Sequence, residues 1–487
     1  MKKTYDVIVI GAGPGGVTCG AMLAKWGLDT LVVDKNSQPG GKMITLSRDG
    51  FRYELFPVFG VPAEGSHFHT VIKELGLEKE VELILPDPIG EMHYRNSSGE
   101  TKIMLIPGAG RPADPQDIFD FLEITDADMP EVIRIFADML NMSPSDLELL
   151  DDISVKQFLA RYQIPRSLYA FLAALQSEGT LECPEELACA SEFIRIFQEM
   201  QQGGGGRYIG GGFGRMFEAE ARAVKANGGK VLLRTRVEKI DIKDGKVTGV
   251  ITDRGTFHAP VVVSSAGIQP TVLKLTGEEH FDKSYVNYVR DLVPSWSFAG
   301  ARYILDKPLL EYPMYVFFSD NTVFSTDHLL GAKACELPEE AYFYVGTNSL
   351  YPSMAPPGKQ LIHAGITCPA SPKTKVKPFR DMTEAAVAEI WPDFHKHVES
   401  KAYFGPADVS RLSRDSVVPG QGGECFGMAQ IVGQCGKHKP SPNAPIRGLF
   451  YVGGDAGGDG LGTNQAVGSG LNVASLVYNY HLKKIQS

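Results

Sequence analysis

The chain has 487 residues, a formal net charge of −10, 43% hydrophobic residues and 22% charged residues. This composition is ordinary for a globular protein, and the length allows two or three folding units. The acidic balance argues against nucleic acid as a partner. No apolar run approaches the roughly 20 residues that a membrane-spanning helix needs, so we expect a cytoplasmic protein, and peripheral contact with a membrane stays open.

The cysteines indicate a reducing compartment. Their number is odd, and no Cys-x-x-Cys spacing occurs among them. This pattern favours buried thiols over a disulfide framework and gives no support for a metal site. The residues concerned are Cys19, Cys183, Cys189, Cys335, Cys368, Cys425 and Cys435.

Residues 5–35 are the most informative stretch, because an apolar run leads through a glycine-rich turn and a helix to a second apolar run. The turn contains Gly11, Gly13, Pro14, Gly15 and Gly16. Gly11 permits a tight turn, Gly13 lets the backbone approach a pyrophosphate, and Gly16 lets helix and strand pack closely. Asp34 follows the second run, where a carboxylate would accept hydrogen bonds from a ribose. The stretch predicts a dinucleotide-binding unit with phosphates at the helix N-terminus.

Residues 5–35 allow two other interpretations, and their own features argue against both. The first is a glycine turn in an unrelated α/β protein, but strand, turn, helix and acid all follow in the order that a dinucleotide site needs. The second is a secretory signal beginning with Lys2 and Lys3. Asp6 interrupts its apolar part, and the glycine spacing is too specific for such a segment.

Residues 41–200 predict a turn, then short strands, then a helical block. Gly41 and Lys42 form a turn suited to passing close to a cofactor phosphate, although a surface turn would look the same. Residues 83–106 predict short strands, and residues 113–200 show helical periodicity, which favours a helical block over a substrate cavity.

The second half of the chain predicts mostly strands. Residues 237–252 predict a hairpin, residues 257–266 one strand, residues 295–369 a sheet, and residues 402–412 a strand and turn. Residues 448–455 predict a strand ending in Gly454 and Asp455. A glycine-rich loop then leads to Thr463 and a long helix, whose N-terminus we expect to point at a cofactor.

These motifs together resemble the FAD-dependent amine oxidase and phytoene desaturase superfamily. The resemblance rests on the first glycine turn, on the Gly-Gly-Lys loop and on the ending GLFYVGGD…GTNQAVGSG. It covers the chain from end to end. Matches that favour the phytoene desaturase branch lie at residues 149–159, 208–216, 228–237 and 351–358.

The resemblance implies an α/β fold with a Rossmann-like FAD-binding domain of the GR2 type, a discontinuous α+β substrate domain and a helical lid. The FAD-binding domain would comprise residues 1–65, 207–294 and 410–487. Residues 66–206 would form a mainly helical lid and substrate region, and residues 295–409 the sheet and helix of the substrate domain.

The resemblance also assigns residues to the FAD. The ADP and pyrophosphate would be held by Gly11, Gly13, Pro14, Gly15, Gly16, Asp34, Lys35, Gly41 and Lys42. The backbone of Val237 would contact the adenine, and Gly454 and Asp455 would lie near the pyrophosphate and ribityl chain. The isoalloxazine would lie beside Gly462, Thr463, Asn464 and Val467.

Four departures from the family pattern border the expected reaction centre. Lys42 stands where arginine is usual, and Phe56, before Pro57, stands where the phytoene desaturase branch usually has glycine. Gln430 stands where histidine is common, and residues 457–462 replace the usual His-Pro-Gly stretch of carotenoid desaturases. They leave flavin chemistry intact and put a carotenoid substrate specifically in question.

The expected function is FAD-dependent desaturation of an apolar or cyclic substrate by hydride transfer to the flavin N5. A saturase or isomerase of a polyene is the alternative, followed by an amine oxidase and by a flavin-binding protein without turnover. Oxygen, a quinone or another carrier would take the electrons, because only one dinucleotide motif occurs. Acid–base candidates that are left unassigned are Tyr208, Glu178, Arg207 and Asp459.

Overall fold

The first unit of the fold is a five-stranded parallel sheet. The computed structural model describes residues 3–55, 65–108, 114–202, 206–322, 340, 343–460 and 462–486. The order across the sheet is Leu449–Tyr451, Val261–Ser264, Val7–Ile10, Thr30–Val33 and Lys230–Leu232. Four of these strands are buried at every residue, because both faces of the sheet are covered. This arrangement confirms the predicted Rossmann-like fold.

Helices cover one face of the parallel sheet. Val7, Val9 and Val32 point into this layer and share one apolar core with the helices. The helices are Pro14–Lys25, called the first helix below, His67–Leu75, Gly214–Ala226, and Gly462–Gln486, called the C-terminal helix. Residues 67–75 therefore pack with the parallel sheet, although they follow the expected boundary at residue 65.

A three-stranded antiparallel sheet covers the other face. It contains Val237–Lys243, Lys246–Thr252 and Gly255–His258, which confirms the predicted hairpin. The single strand expected at residues 257–266 is wrong, because the chain leaves this sheet after His258 and enters the parallel sheet at Val261. Pro260 lies between them and has no N–H to donate to a ladder, which explains the break.

The second unit is a mixed seven-stranded sheet. Its order is Val398–Phe404, Ser297–Leu305, Gln360–Cys368, Phe343–Gly346, Met314–Ser319, Gly90–Arg95 and Thr101–Ile106. The last two strands come from the segment that was expected to be mainly a helical lid. The expected strand and turn at residues 402–412 is wrong after Phe404, since Pro406–Leu412 is a helix that has proline in its first turn.

A block of helices rests on this sheet and is called the lid below. Its helices share an apolar core with Val316 and Phe318 of the sheet. They are Pro115–Phe121, Met129–Asn141, Pro144–Glu148, Val155–Leu159, Arg166–Ala174 and Ala190–Gln202. Among the described residues, no helix has both the length and the apolar character that crossing a bilayer requires.

The remaining elements are short and connect these layers. Two strand pairs stand apart from the large sheets, and the helix Lys377–Ile390 packs on the seven-stranded sheet. The paired strands are Thr45–Arg48 with Phe51–Glu54, and Leu83–Ile84 with Tyr208–Ile209. Two further helices are Ile268–Pro270 and Lys283–Asp291.

The cysteines of the described residues are buried thiols, as their pattern predicted. There are six of these cysteines, and none of the six is in a disulfide. Cys335 lies outside the described residues.

Glu220 is a buried carboxyl between the first helix and Gly214–Ala226. The hydroxyl of Thr18 donates to its Oε2 at 2.7 Å, while its Oε1 has no hydrogen-bond partner among the described residues. Burial raises the pKa of Glu220 to about 8, and the Thr18 hydroxyl offsets only part of this effect. Glu220 is therefore mostly protonated at neutral pH in the folded protein, whereas in the unfolded chain it ionises above a pH of about 4.3.

We expect Glu220→Gln to flatten the pH dependence of stability. Between pH about 4.3 and about 8 the unfolded chain loses this proton first, so wild-type stability falls by up to about 5 kcal/mol as the pH rises. The variant lacks this loss. The difference between the thermal midpoint of the variant and that of wild type should therefore increase in favour of the variant from pH about 5 to about 8. Glu78→Gln, at an exposed position, is the control. A midpoint difference that does not change with pH would contradict the expectation.

Candidate functional site

The candidate site lies where the carboxyl ends of four parallel strands meet. These strands end at Ile10, Val33, Ser264 and Tyr451. In open α/β sheets, ligands bind outside the carboxyl ends of the strands. They bind at the point where the order of the strands along the sheet reverses. The strand Val7–Ile10 lies centrally in the sheet and leads directly into the glycine turn.

Two glycines of the turn bring backbones together. A Cβ at Gly16 would overlap the carbonyl oxygen of Gly11 and lie 2.9 Å from the Cβ of Ser265. A Cβ at Gly15 would lie 2.8 Å from the carbonyl oxygen of Ala466 in the C-terminal helix. These glycines therefore allow the turn, the first helix and the C-terminal helix to touch.

Gly13 has a different environment, because the protein itself leaves room for a side chain there. The nearest atoms to its Cβ position are the Cα of Gly41 and the Oγ of Ser265, both at 3.9 Å. Gly13 also precedes the first helix, which has Pro14 in its first turn and no acidic residue there. Helix N–H groups without acidic neighbours fit a phosphate, so this part of the site is compatible with a dinucleotide.

Asp34 supports the turn directly. Its Oδ2 accepts a hydrogen bond from the backbone N–H of Ala12 at 2.7 Å, and its Oδ1 accepts one from Asn36 at 2.7 Å. Burial raises the pKa of Asp34, and these backbone hydrogen bonds offset part of that rise. The N–H of Thr235 donates to the carbonyl of Asp34, which brings the strand beginning at Val237 to the same edge. The expected ribose and adenine contacts of Asp34 and Val237 stay predictions.

Lys35 points into a charge cluster that the sequence did not indicate. Its Nζ lies 3.0 Å from the Oδ1 of Asp415, and Lys274 and Arg236 pair with the same carboxylate. Partial burial favours the protonated acid, but Lys274 and Lys35 hold the pKa of Asp415 far below its usual range. The predicted contact of Lys35 with the ADP would have to coexist with this pairing.

The Gly-Gly-Lys loop lies against the glycine turn. The N–H of Gly40 donates to the carbonyl of Ala12 at 2.8 Å, and a Cβ at Gly41 would lie 3.0 Å from the Cα of Gly13. Lys42 is placed beside Glu424, Arg414 and Asp455; burial lowers its pKa, while Glu424 raises it. Its ammonium group thus lies next to a buried cluster of charges.

Arg414 is the centre of that cluster, and sequence analysis missed it. Its Nη1 lies 3.1 Å from the Oε1 of Glu424, and its Nη2 lies 2.9 Å from the Oδ2 of Asp455. Burial alone would raise the pKa of Asp455, but Arg414 and the backbone N–H of Ile268 lower it overall. Arg414 and Glu424 lie in loops without periodicity, so no pattern in the chain pointed to them.

The start of the C-terminal helix contacts the helix His67–Leu75 and the loop that carries Phe426. Asn464 accepts a hydrogen bond from the N–H of His67 at 3.0 Å through its Oδ1, and Val467 is buried in the first core. The ring of Phe426 lies 3.6 Å from the Cβ position of Gly462. Thr463 lies between Gly462 and Asn464 on the first turn of the helix. This helix also approaches the glycine turn, since the carbonyl oxygen of Ala466 lies near Gly15; the expected contacts of Gly462, Thr463, Asn464 and Val467 with the isoalloxazine stay predictions.

The unassigned acid–base candidates have distinct surroundings. Tyr208 is buried, donates to Glu54 at 2.7 Å and stacks on Tyr351, so its hydroxyl is committed to the core. Asp459 is exposed over 64% of its side chain and pairs with Lys439 at 3.6 Å. The structure describes the backbone of residue 178 but not its side chain, and Arg207 has a partner in the structure.

Two other acids contact the glycine loop of residues 457–460. Glu192 accepts a hydrogen bond from the N–H of Gly460 at 3.0 Å, and the Oε2 of Glu199 lies 3.2 Å from the Cβ position of Gly460. On the other side, Gln430 donates to the carbonyl of Gly460 at 3.4 Å. Sequence analysis missed both acids, although their seven-residue spacing on one helix was a usable signal.

Comparison with known proteins agrees with this geometry. Residues 14–478 match the family model described as flavin containing amine oxidoreductase. A zeta-carotene-forming phytoene desaturase of Myxococcus xanthus is 24% identical over 482 residues, covering 92% of this chain and 89% of that protein. A lycopene-forming phytoene desaturase of Pseudescherichia vulneris is 22% identical over 511 residues, covering 98% and 99%.

A solved structure shows the same fold. An oxidoreductase from Methanosarcina mazei superposes with a TM-score of 0.69 at 19% identity, covering 96% of this chain and 100% of that one. These matches confirm the superfamily and the fold class that the motifs predicted.

Proposed function

Since the chain belongs to the family of flavin-containing amine oxidoreductases and is an FAD-dependent oxidoreductase, we propose that it desaturates an apolar, polyene-like substrate. In this reaction a C–C bond becomes C=C. The two relatives aligned over nearly the whole chain are phytoene desaturases, which supports this reaction class and an extended hydrocarbon as the substrate.

One observation carries the proposal: the apolar core of the lid reaches the glycine loop. Ala429 and Ile431 belong to the lid core together with Phe193, and Gln430 between them contacts Gly460. The lid core therefore ends at the loop that precedes the C-terminal helix. An apolar substrate that enters under the lid would meet the cofactor at this loop.

The residues of the chain have separable tasks in this proposal. The first helix and Gly13 would bind the pyrophosphate, and Lys42 would add positive charge beside it. Gly462, Thr463 and Asn464 would place the N-terminus of the C-terminal helix beside the ring system, where its dipole favours negative charge. Bound FAD would accept a hydride at its N5 atom. The apolar lid excludes water from the reacting carbons.

The alternatives share the cofactor and differ in substrate or direction. A saturase or isomerase of a polyene would use the same site. An amine oxidase ranks lower, because residues 453–470 contain no aromatic side chain that would contribute to a cage for an amine.

We expect anaerobic bleaching of the flavin to identify the substrate class. The purified holoenzyme would be mixed with phytoene in detergent micelles, with cyclic ketones, with acyl-ring compounds and with amines, and flavin absorbance would be followed. Phytoene or another apolar CH–CH compound should reduce the flavin within a single turnover. Reduction by amines alone would overturn the desaturase proposal. Oxidation of pre-reduced flavin by a polyene would instead indicate a saturase.

The electron acceptor is tested with the same protein. Because one dinucleotide motif occurs in the sequence, we propose oxygen, a quinone or another carrier as the acceptor rather than a resident NAD(P). Fast flavin reduction by NADPH, with a tight complex, would contradict this part of the proposal.

A further inference from the structure

One side of the helix Ala190–Gln202 carries three charged residues. Glu192, Arg195 and Glu199 follow each other at intervals of three and four residues and therefore share one face of the helix. The opposite side is apolar and belongs to the lid core through Phe193, Ile194, Ile196 and Phe197.

Glu192 positions the glycine loop. Its Oε1 accepts the hydrogen bond from the N–H of Gly460, and its side chain is almost fully buried. Its Oε2 has no hydrogen-bond partner among the described residues and lies 3.8 Å from the Nε of Arg195. The carboxylate of Glu192 is thus held by the loop on one side and by a cation on the other.

Glu199 faces the same loop but is not held by it. Its Oε2 and Oε1 lie 3.2 and 3.7 Å from the Cβ position of Gly460, and the Nδ2 of Asn464 lies 3.7 Å from that position. Within the described part of the chain, no hydrogen bond or ion pair engages its carboxylate. Glu199 therefore offers a carboxylate beside the start of the C-terminal helix.

A second observation indicates that a ligand group belongs here. Gln430 is 6% exposed, and its Nε2 donates to the carbonyl of Gly460, while its Oε1 is buried and has no hydrogen-bond partner in the described ranges. Leaving a buried acceptor unpaired costs about 1–3 kcal/mol. The amide of Gln430 and the carboxylate of Glu199 thus approach Gly460 with unused acceptor atoms.

We propose that Glu199 is the base that removes a proton from the substrate during desaturation, an inference that rests on the function proposed above. The substrate loses one hydrogen with its electron pair, which FAD takes up as a hydride. The C–H bond on the neighbouring carbon breaks, its electron pair forms the new C=C bond, and its proton moves to a carboxylate oxygen of Glu199. The two electrons and both hydrogens are then accounted for.

The charges around Glu199 suit this role. Burial, followed by the carboxylate of Glu192, raises the pKa of Glu199; Arg195 opposes the rise, and Asp459 adds to it. Glu192 and Arg195 belong to its own helix, and Asp459 faces it from the glycine loop, where Lys439 pairs with Asp459. A carboxyl whose pKa lies closer to neutrality accepts and returns a proton more readily under working conditions.

The first arm of the test needs no substrate. Difference infrared spectra of the holoenzyme, recorded across a pH titration, would be compared between wild type, Glu199→Gln and the control Glu148→Gln, which lies on an exposed part of the lid. We expect wild type and the control to show a carboxyl titrating above the usual glutamate range that Glu199→Gln lacks, while the raised titration of Glu220 is present in all three proteins. An unchanged titration in Glu199→Gln would overturn the proposal.

The second arm measures flavin reduction by phytoene under anaerobic single-turnover conditions. Glu199→Gln should retain FAD and its visible spectrum but reduce at least about 100-fold more slowly, with loss of the ionisation in the pH profile. Glu199→Asp should recover part of the rate, and Glu148→Gln should match wild type. Wild-type rate and pH profile in Glu199→Gln would overturn the role of Glu199. Failure of the wild type to react with any CH–CH compound would instead overturn the proposed desaturation, while the infrared arm still decides whether Glu199 titrates as proposed.

Discussion

Gly16→Ala is expected to give a protein that retains no FAD and is destabilised by about 3 kcal/mol or more. The added Cβ would overlap the backbone oxygen of Gly11 and lie 2.9 Å from the Cβ of Ser265. Overpacking usually costs about 1–3 kcal/mol, and this site should lie at or above the upper end because the principal clash is with backbone. The flavin absorbance of the purified variant and its thermal midpoint measure the two effects.

Gly13→Ala is the matched comparison in the same turn. Its Cβ would have no protein atom closer than 3.9 Å, and Gly13 has a negative φ that alanine adopts without strain. The apoprotein should therefore unfold at the wild-type midpoint. If the backbone at Gly13 approaches the pyrophosphate, FAD should bind at least about tenfold more weakly, which is about 1.4 kcal/mol. Wild-type affinity in Gly13→Ala would remove Gly13 from the proposed FAD contacts.

Arg414→Met is expected to cause the second large loss. The guanidinium is 7% exposed and pairs with the buried carboxylates of Glu424 and Asp455, which would be left without their main cation. Removing one partner of a buried ion pair costs about 3–5 kcal/mol. Urea unfolding at neutral pH measures this loss of stability. The stability of Arg414→Lys should lie between those of wild type and Arg414→Met, because lysine keeps the charge but cannot bind two carboxylates in the geometry of a guanidinium.

Arg411→Met in the preceding helix is the control for this experiment. Arg411 is exposed over 71% of its side chain and, within the described residues, pairs only with Asp408 three residues earlier, so its removal should cost less than about 1 kcal/mol. Equal losses of unfolding free energy in the Arg411 and Arg414 variants would contradict a larger contribution of the buried cluster to stability.

The pH dependence gives an independent check on Arg414. In wild type the pKa of Asp455 is lowered, so the stabilisation is present above the unfolded pKa of about 3.9 and is lost as the pH falls below it. Without Arg414 we expect burial to dominate and raise this pKa. The stability gap between Arg414→Met and wild type should therefore narrow from pH about 7 to about 4. A gap that widens in acid would contradict this assignment.

Local patterns in the chain were sufficient to predict the nucleotide-binding unit. The glycine turn, the first helix and the strand before Asp34 lie within 35 residues, and their spacing reflects steric demands of backbone on backbone. The long helix was predicted from Asn464 to Leu482 on its small residues after the glycine-rich loop, and the structure has it from Gly462 to Gln486. Such features depend on neighbours in sequence, so the order of residue types already carries them.

The break at Pro260 and the helix at Pro406–Leu412 were not predicted, although each contains a proline signal. In both cases alternating apolar residues suggested a continuing strand. The strand ends there because proline has no N–H to donate to the ladder. The two strands Gly90–Arg95 and Thr101–Ile106 were predicted as strands, but their place in the second sheet depends on pairing with Met314–Ser319, more than 200 residues away.

The sequence by itself determined the cofactor-binding fold, because this fold depends on short-range sterics at glycines and on hydrophobic periodicity, and the resemblance of its motifs indicated the family. Only the tertiary structure decided that Arg414 joins Glu424 to Asp455, and that Glu192 and Glu199 meet Gly460. Arg414, Glu424 and Asp455 follow no shared period, and Glu192 and Glu199 lie far along the chain from Gly460. Folding buries these groups together. In the interior of low polarity the interactions between charges are strong, so the charge state of each group depends on its neighbours.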